Sequence, residues 1–383
     1  MTIYPTNDKL LYMKCHFYQG DNMKIFKFII LLAVTSAAYL LLWPVPVEPK
    51  AWQAPKAPGY TGSYAQNKKL ADLDTLSLHG QQGPEDFALA SEGTIATATH
   101  SGNILLLKPG AERFEPWVNT GGRPLGIEFD KQGNLLVADA VKGLLAINAQ
   151  SEITVLSNEV NGGKIVYADD VDVALNGMIY FTDATTKFSA QEFGGTLVAS
   201  LLEVIEHAGN GRLLAYDPQS KETTILLDGL VFANGVAVSH DQQSVLVNET
   251  GSYRVLRYWL SGPKATQIDI FIDNLPGFPD NITQSPTGGY WLGFASPRSK
   301  SLDALADSPF LRKVMLRLPE FMHPGTKDYG HVIKIDENGQ VIKDLQDPSG
   351  TYPFTTGVLE TDDAIYISSL TADRVGRKRL NLP

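Results

Sequence analysis

The chain has 383 residues, 43% of them apolar and 19% charged, enough for one large domain or two ordinary ones with a sizeable core. Acidic residues outnumber basic ones by 42 to 32, which excludes a basic nucleic-acid surface.

Residues 1–24 read as a short cytoplasmic N-terminus and residues 25–43, IFKFIILLAVTSAAYLLLW, as a transmembrane signal anchor. That run is nearly all apolar and at the short end of what spans a bilayer. Lys14, Lys24 and Lys27 lie before it or at its start. The positive-inside rule then leaves the amino terminus in the cytoplasm and the bulk of the chain on the periplasmic or extracytoplasmic side. Ser36 and Ala38 offer the small residues of a cleavage site, but the apolar run continues past them to Trp43, which favours an uncleaved anchor. Met23 opens a more ordinary signal sequence, so the translation of 1–22 stays open. Residues 44–70, rich in Pro, Gly and Tyr, read as an extended linker. The single cysteine, Cys15, precedes the anchor. The exported part therefore has no disulfide and no thiolate metal site, which suits a bacterial periplasm. Two sequons occur, at Asn248 and Asn281, and they matter only in a eukaryotic secretory pathway.

From 71 to 383 the chain shows short strands separated by Gly, Asp and Asn turns, and one phrase recurs. A polar or Gly loop leads into one apolar residue, and a β-rich run follows about eight residues later. The apolar residues are Phe87, Ile127, Val171, Val236, Ile282 and Val358. Repeats of about forty residues or more, each a small antiparallel sheet, predict an all-β, six-bladed β-propeller. Residues 73–78 supply a strand to close the ring. Two insertions break the rhythm. Residues 196–207 have a Thr cap, helical apolar spacing and a Gly209 stop, and residues 308–318 have a Ser cap followed by Pro309. They read as short helices that pack on the propeller or form a lid over a pocket, a lid that could also touch the membrane.

Two places before each apolar residue stand Glu85, Leu125, Asp169, Asn234, Asp280 and Thr356. Equivalent loop positions in a propeller ring the channel at one end. Four oxygen side chains converging there are costly to leave unpaired. A hard cation, Ca²⁺ first, with Mg²⁺ or Mn²⁺ as alternatives, resolves that cost without His or Cys. Asp86, Asp170 and Asn281, one residue later, are candidates for supporting partners or extra ligands. The ion would polarise a carbonyl or phosphoryl oxygen, with Asp280 attacking the substrate or activating water. Asp139 and Asp183, at the ends of early strands, are weaker candidates for proton handling, with turn capping as their alternative. The chain has no G-x-S-x-G, no H-E-x-x-H and no G-x-x-x-x-G-K, so a serine hydrolase, a zinc protease and a P-loop enzyme are unsupported.

The runs YADDVDVALNGMIYFTD (167–183), LLDGLVFANGVAVS (226–239), VLVNETGSYRVLRYWLSGP (245–263) and NLPGFPDNI (274–282) resemble the strictosidine synthase-like family, its plasma-membrane-associated branch and bacterial relatives above all. The likeness covers about residues 71–380 and extends to the anchor. It implies a propeller related to regucalcin and gluconolactonase, paraoxonase and diisopropyl fluorophosphatase, with Ca²⁺ or a similar ion in the channel. The ligands it implies match Glu85, Asp169, Asn234 and Asp280, with Asp169 where Asn is usual. The equivalent of Asp280 is the nucleophile proposed for the fluorophosphatase type, and the membrane-bound relatives are associated with arylesterase-type hydrolysis. The His residues of paraoxonases are absent at Leu125 and near Asp139, which argues against His catalysis. Thr356 stands where strictosidine synthases use Glu, which argues against amine–aldehyde condensation. The expectation is a membrane-anchored, metal-dependent hydrolase of a small apolar ester or lactone. The alternatives are a non-enzymatic propeller binding a ligand or partner around a structural ion, and a synthase-type condensing enzyme.

Overall fold

The computed structural model describes residues 8–323 and 326–380. The first seven residues of the expected cytoplasmic segment and the last three of the expected propeller lie outside the described residues. The chain divides into two units, one of residues 1–46 with 310–323 and one of the remainder.

In the first unit, helix α1 runs Asp8–Leu42, and its stretch Asn22–Leu42 has a mean hydropathy of 2.3 with no part buried. It is long and apolar enough to cross a membrane.

The second unit is a propeller of six four-stranded antiparallel sheets. Its inner strands are Phe87–Leu89, Pro124–Phe129, Ala168–Val173, Ala233–Val238, Gly277–Gln284 and Thr355–Glu360. Second strands such as Leu135–Asp139 and Ser244–Glu249 are buried at every position, because blades pack on both of their faces. Outer strands such as Ile153–Ser157 are mostly exposed. The expected closing strand is present. Asp74–Ser77 pairs with Arg374–Arg379, so both ends of the domain build the sixth blade and no long edge is left open.

Five of the six inner strands lose register at one common point. The shifts fall between Pro124 and Ile127, Ala168 and Val171, Ala233 and Val236, Pro279 and Ile282, and Thr355 and Val358. A bulge re-aims the residues it skips. Those residues are the two that precede each recurring apolar residue, so the repeated phrase encodes a bulge that turns its polar residues out of the ladder.

The position just before the recurring apolar residue carries the bonds between blades in the first and third blades. Asp86 Oδ2 accepts the Ile127 amide at 2.9 Å, and Asp170 Oδ2 accepts the Val236 amide at 2.7 Å. These carboxylates thus clamp blade to blade. Around the ring this position reads Asp86, Gly126, Asp170, Gly235, Asn281 and Gly357. Large and small alternate because there is no room for six side chains. A Cβ on Gly126 would run into the Asp170 carboxylate, and one on Gly357 would stand 3.1 Å from the Asn281 Cβ.

Residues 47–70 hold only the 3-10 turn Gly62–Tyr64, but they are not the free linker expected from composition. They form a strap on the propeller unit. Trp52 stacks on His207 at 4.0 Å, Arg298 donates to the Pro55 carbonyl at 2.5 Å, and Asn67 donates to Asp344 at 2.7 Å. Helix α2 is Thr196–Glu206, capped by Gly195 rather than by the expected Thr, and it ends at His207 in the left-handed region. A short helix α3, Lys300–Ala304, was not anticipated, and Ser299 caps it. Helix α4, Pro309–Leu316, starts on the expected proline.

Glu360 ties the sixth blade to the fifth. Its carboxylate accepts from Ser285 Oγ at 2.5 Å, Trp291 Nε1 at 2.7 Å and Lys334 Nζ at 3.0 Å. Burial opposes ionisation, but these donors and the lysine charge win and draw its pKa from 4.5 to about 2. The depressed folded value means the contribution is present above pH 4.5 and is lost as pH falls toward 2. Glu360→Gln is therefore expected to cost about 1 kcal/mol at pH 7, since solvent screens part of the shift. In denaturant titrations the gap from wild type closes steadily below pH 4.5. Gly126→Ala, whose Cβ would stand 2.5 Å from the Asp170 Cα, is expected to lose roughly 3 kcal/mol by the same measurement. Gly163→Ala, with its nearest neighbour at 3.5 Å, should stay within about 0.5 kcal/mol of wild type.

Candidate active site

The first residue of each skipped pair faces the channel. Leu125, Asp169, Asn234 and Asp280 arrive this way, and Glu85 reaches the same place from the turn before the first inner strand, its amide bonded to the Ala98 carbonyl at 3.1 Å. All five line a cavity of about 220 Å³ at one end of the channel. Asn281 sits one step behind and spends its amide on the Glu85 carbonyl at 3.0 Å. The sixth position is closed. Thr356 Oγ1 lies 2.6 Å from both the Glu85 carbonyl and Ser368 Oγ and does not line the cavity.

The polar floor is buried and short of partners. Asn234 donates to Asp280 Oδ1 at 2.8 Å, and Asn248 donates to the Asp280 carbonyl. Glu85 Oε2, Asp169 Oδ2, Asn234 Oδ1, Asn248 Oδ1 and Asn281 Oδ1 are buried with no hydrogen-bond partner. Burial first, then the charges of Asp280 and Asp169, holds the Glu85 carboxyl well above its ordinary range. Burial and then Asp280 do the same to Asp169. Burial lifts Asp280 to about 7 against the pull of the Asn234 hydrogen bond.

Among the described residues, no three His, Cys, Asp or Glu side chains by themselves make a group that could hold a metal ion. The donor set is instead mixed, with carboxylates and carboxamides side by side, and it is oxygen throughout. Unpartnered buried oxygens are costly in an apolar chamber and are the ligands a hard cation takes. The residues present fit such an ion.

Two cavity residues escaped the sequence reading. Arg123, two places before Leu125, spends Nη1 on the Pro124 carbonyl at 2.7 Å, and its charge favours ionisation of Glu85 and Asp169. His100 is neutral, because burial and then the Arg123 charge lower its pKa to about 4. Neither belongs to the repeated phrase, so register gave no signal for them. The walls are apolar. Leu197, Leu201 and Val204 stand at i, i+4 and i+7 on α2 and face the cavity, while Ala199, Leu202, Glu203 and Glu206 of the same helix are buried. Glu203 fixes the helix through Thr185 Oγ1 and Asn210 Nδ2, both at 2.8 Å. The lid expected of residues 196–207 is thus a wall of the pocket. No residue of 308–318 lines it.

The structure does not bring Asp139 or Asp183 into the cavity. Asp139 Oδ1 accepts the amides of Arg123, Val141 and Lys142 at 2.9–3.0 Å, and Oδ2 accepts Thr120 Oγ1 at 2.8 Å. Asp183 is paired with Arg212 at 2.5 Å and accepts the Tyr167 amide at 3.1 Å. Both hold strand ends, the alternative weighed for them. The sequon residues Asn248 and Asn281 are fully buried, so neither is open to glycosylation in the folded protein.

The family model for strictosidine synthase matches residues 169–263, and that for the strictosidine synthase-like N-terminal region matches 62–107. The chain is 32% identical to the adipocyte plasma membrane-associated protein of Rattus norvegicus over 375 residues, covering 91% of this chain and 97% of that one. It is 38% identical to strictosidine synthase-like protein 13 of Arabidopsis thaliana over 237 residues, 60% of this chain and 57% of that one. Among solved structures, a gluconolactonase of Xanthomonas campestris superposes with a TM-score of 0.57 at 17% identity, covering 88% of this chain and 99% of that one. A regucalcin of Agrobacterium tumefaciens, described as a calcium-binding protein, gives a TM-score of 0.51 at 14% identity over 79% and 85%. At such identities the solved structures speak for the fold. The match over nearly the whole of the membrane-associated relative speaks for descent, and the chain belongs to the strictosidine synthase-like family, in the company of the adipocyte plasma membrane-associated proteins.

Proposed function

We propose that the protein is a membrane-anchored hydrolase of small apolar esters or lactones that works with a divalent cation, Ca²⁺ in the first place. The observation that carries this reading is the row of unpartnered oxygens on Glu85, Asp169 and Asn234 at the floor of an apolar-walled cavity, with that of Asn281 one step behind. The names of the fold neighbours, a gluconolactonase and a calcium-binding regucalcin, agree with it. Glu85, Asp169, Asn234 and Asp280, with Asn281 behind them, would hold the ion. When bound, it supplies positive charge against the substrate carbonyl oxygen.

The chain's own groups do the rest. Leu125 and the α2 face take the apolar body of the substrate and exclude bulk water. The Asn234 amide pins Asp280 Oδ1, which leaves Oδ2 for the reaction. Asp280 takes a proton from water as the water oxygen bonds to the carbonyl carbon. It returns that proton to the ester or ring oxygen as the C–O bond breaks. Thr356, tied to a backbone carbonyl, leaves no acid of the synthase type in the sixth blade. We place residues 25–43 as an uncleaved single-pass anchor, with the propeller of 71–383 on the extracytoplasmic side of the membrane.

With the full chain in detergent, aryl-ester and lactone turnover should stop on chelation and return with Ca²⁺. Asp280→Asn should lower kcat/KM by about 10²–10⁴-fold with thermal unfolding unchanged. Normal turnover by that variant would remove Asp280 from catalysis. Absence of turnover with the ion bound would favour the binding-module alternative. Leu201→Asp, on the cavity wall, should raise KM for an apolar ester about tenfold and leave kcat nearly unchanged in the same assay.

A further inference from the structure

We propose that residues 310–323 form a second membrane contact, seated in the lipid headgroup region at the carbonyl end of the anchor helix. The inference rests on the anchor reading and concerns only the unit to which both segments belong.

Helix α1 ends with no basic residue in its last turn. A helix end leaves carbonyls without intrahelical partners and carries partial negative charge. Here a distant residue meets that need. Arg317 Nη1 donates to the Leu40 carbonyl at 3.0 Å and Nε donates to the Trp43 carbonyl at 2.6 Å. The guanidinium is almost fully buried in doing so. These two bonds fix the segment at one depth, the level at which the apolar helix stops. Leu42 and Trp43 are exposed there, and a tryptophan at such a boundary sits at headgroup level.

The segment is built for that depth. α4 turns Arg312 and Met315 inward. Phe310, Leu311 and Met322 are each about half exposed, and Phe321 is 86% exposed. Four large apolar side chains turned outward within thirteen residues are unusual on a soluble surface. Continuity with a membrane-crossing helix identifies what covers them: acyl chains just below the headgroups, the environment an interfacial apolar face takes.

The test uses the full chain with Cys15→Ser in phosphatidylcholine vesicles. An environment-sensitive dye is placed in turn at Leu31→Cys, Phe310→Cys, Phe321→Cys and, as an exposed apolar control on the propeller, Ile270→Cys. A quencher on the lipid acyl chains should dim positions 31, 310 and 321 at least about twofold more than 270, and aqueous iodide should show the reverse order. If 31 follows lipid while 310 and 321 follow iodide, the second contact is overturned and the anchor stands. If 31 also follows iodide, the anchor reading fails and takes the inference with it. A lipid-borne photoreactive probe checks the unsubstituted chain, where adducts on 310–322 support the contact. Protection of 310–322 from both that probe and iodide would mean a protein partner covers them, and would overturn it.

Discussion

Six inner strands converge on one axis, and the space there does not admit six side chains at each level. The bulge shared by five of them settles how that space is divided. In four of them it sends the first residue of the skipped pair, Leu125, Asp169, Asn234 or Asp280, toward the cavity, and in the third blade it sends Asp170 across to the next blade. The crossing position then alternates between Asp or Asn and Gly, since each side chain needs the room that a glycine leaves. Blade-to-blade adhesion and site geometry are therefore the same constraint. A change at Gly126 disturbs Asp170, which holds the Val236 amide, and Val236 follows directly on the loop that presents Asn234.

This division explains what was legible in the sequence. The repeated phrase is a bulge with a fixed register, so aligning the copies brought out Glu85, Asp169, Asn234 and Asp280, which the structure gathers around one cavity. The blade count and the closing strand followed from the same periodicity. Residues off that register were illegible. Arg123 and His100 reach the cavity from connections between strands, where no copy repeats. Asp139 and Asp183 look like reactive carboxylates by composition and stand at equivalent strand ends. Yet backbone amides, a hydroxyl and Arg212 claim their oxygens, and nothing in their spacing announces those partners.

The contacts of the strap and of the second helical insertion were illegible for a different reason. Pro- and Gly-rich composition reports the absence of regular structure, not the absence of contacts. Residues 47–70 bind through backbone groups and a few aromatic faces, such as Trp52 on His207, and such contacts leave no periodic trace. The Ser-Pro start at 308–309 marked a helix, and a signal of this kind does not say what the helix faces meet. On α2 the apolar face meets the cavity. On α4 Phe310 and Leu311 are turned outward, while Arg317 beyond its end bonds the C-terminal end of α1.

The same reasoning bears on the charge at the site. Glu85, Asp169 and Asp280 put three carboxyls into one buried chamber, where Asp280 and Asp169 oppose ionisation of Glu85 and Asp280 opposes that of Asp169. A divalent cation of the proposed kind answers two of those charges. Arg123 answers the third. Its charge favours ionisation of Glu85 and Asp169 but is not among the influences that set Asp280. Asp280 instead is held by a neutral amide, from Asn234. The carboxylates that would serve only as ligands are thus the ones with a fixed counter-charge. The one proposed to move a proton has no such fixed partner in the chain: burial lifts its carboxyl to about 7 with no ion bound, and the cation it would share in holding would supply the counter-charge that keeps it ionised. The charge of Asp169 is matched in part by the Arg123 guanidinium, which lines the same cavity.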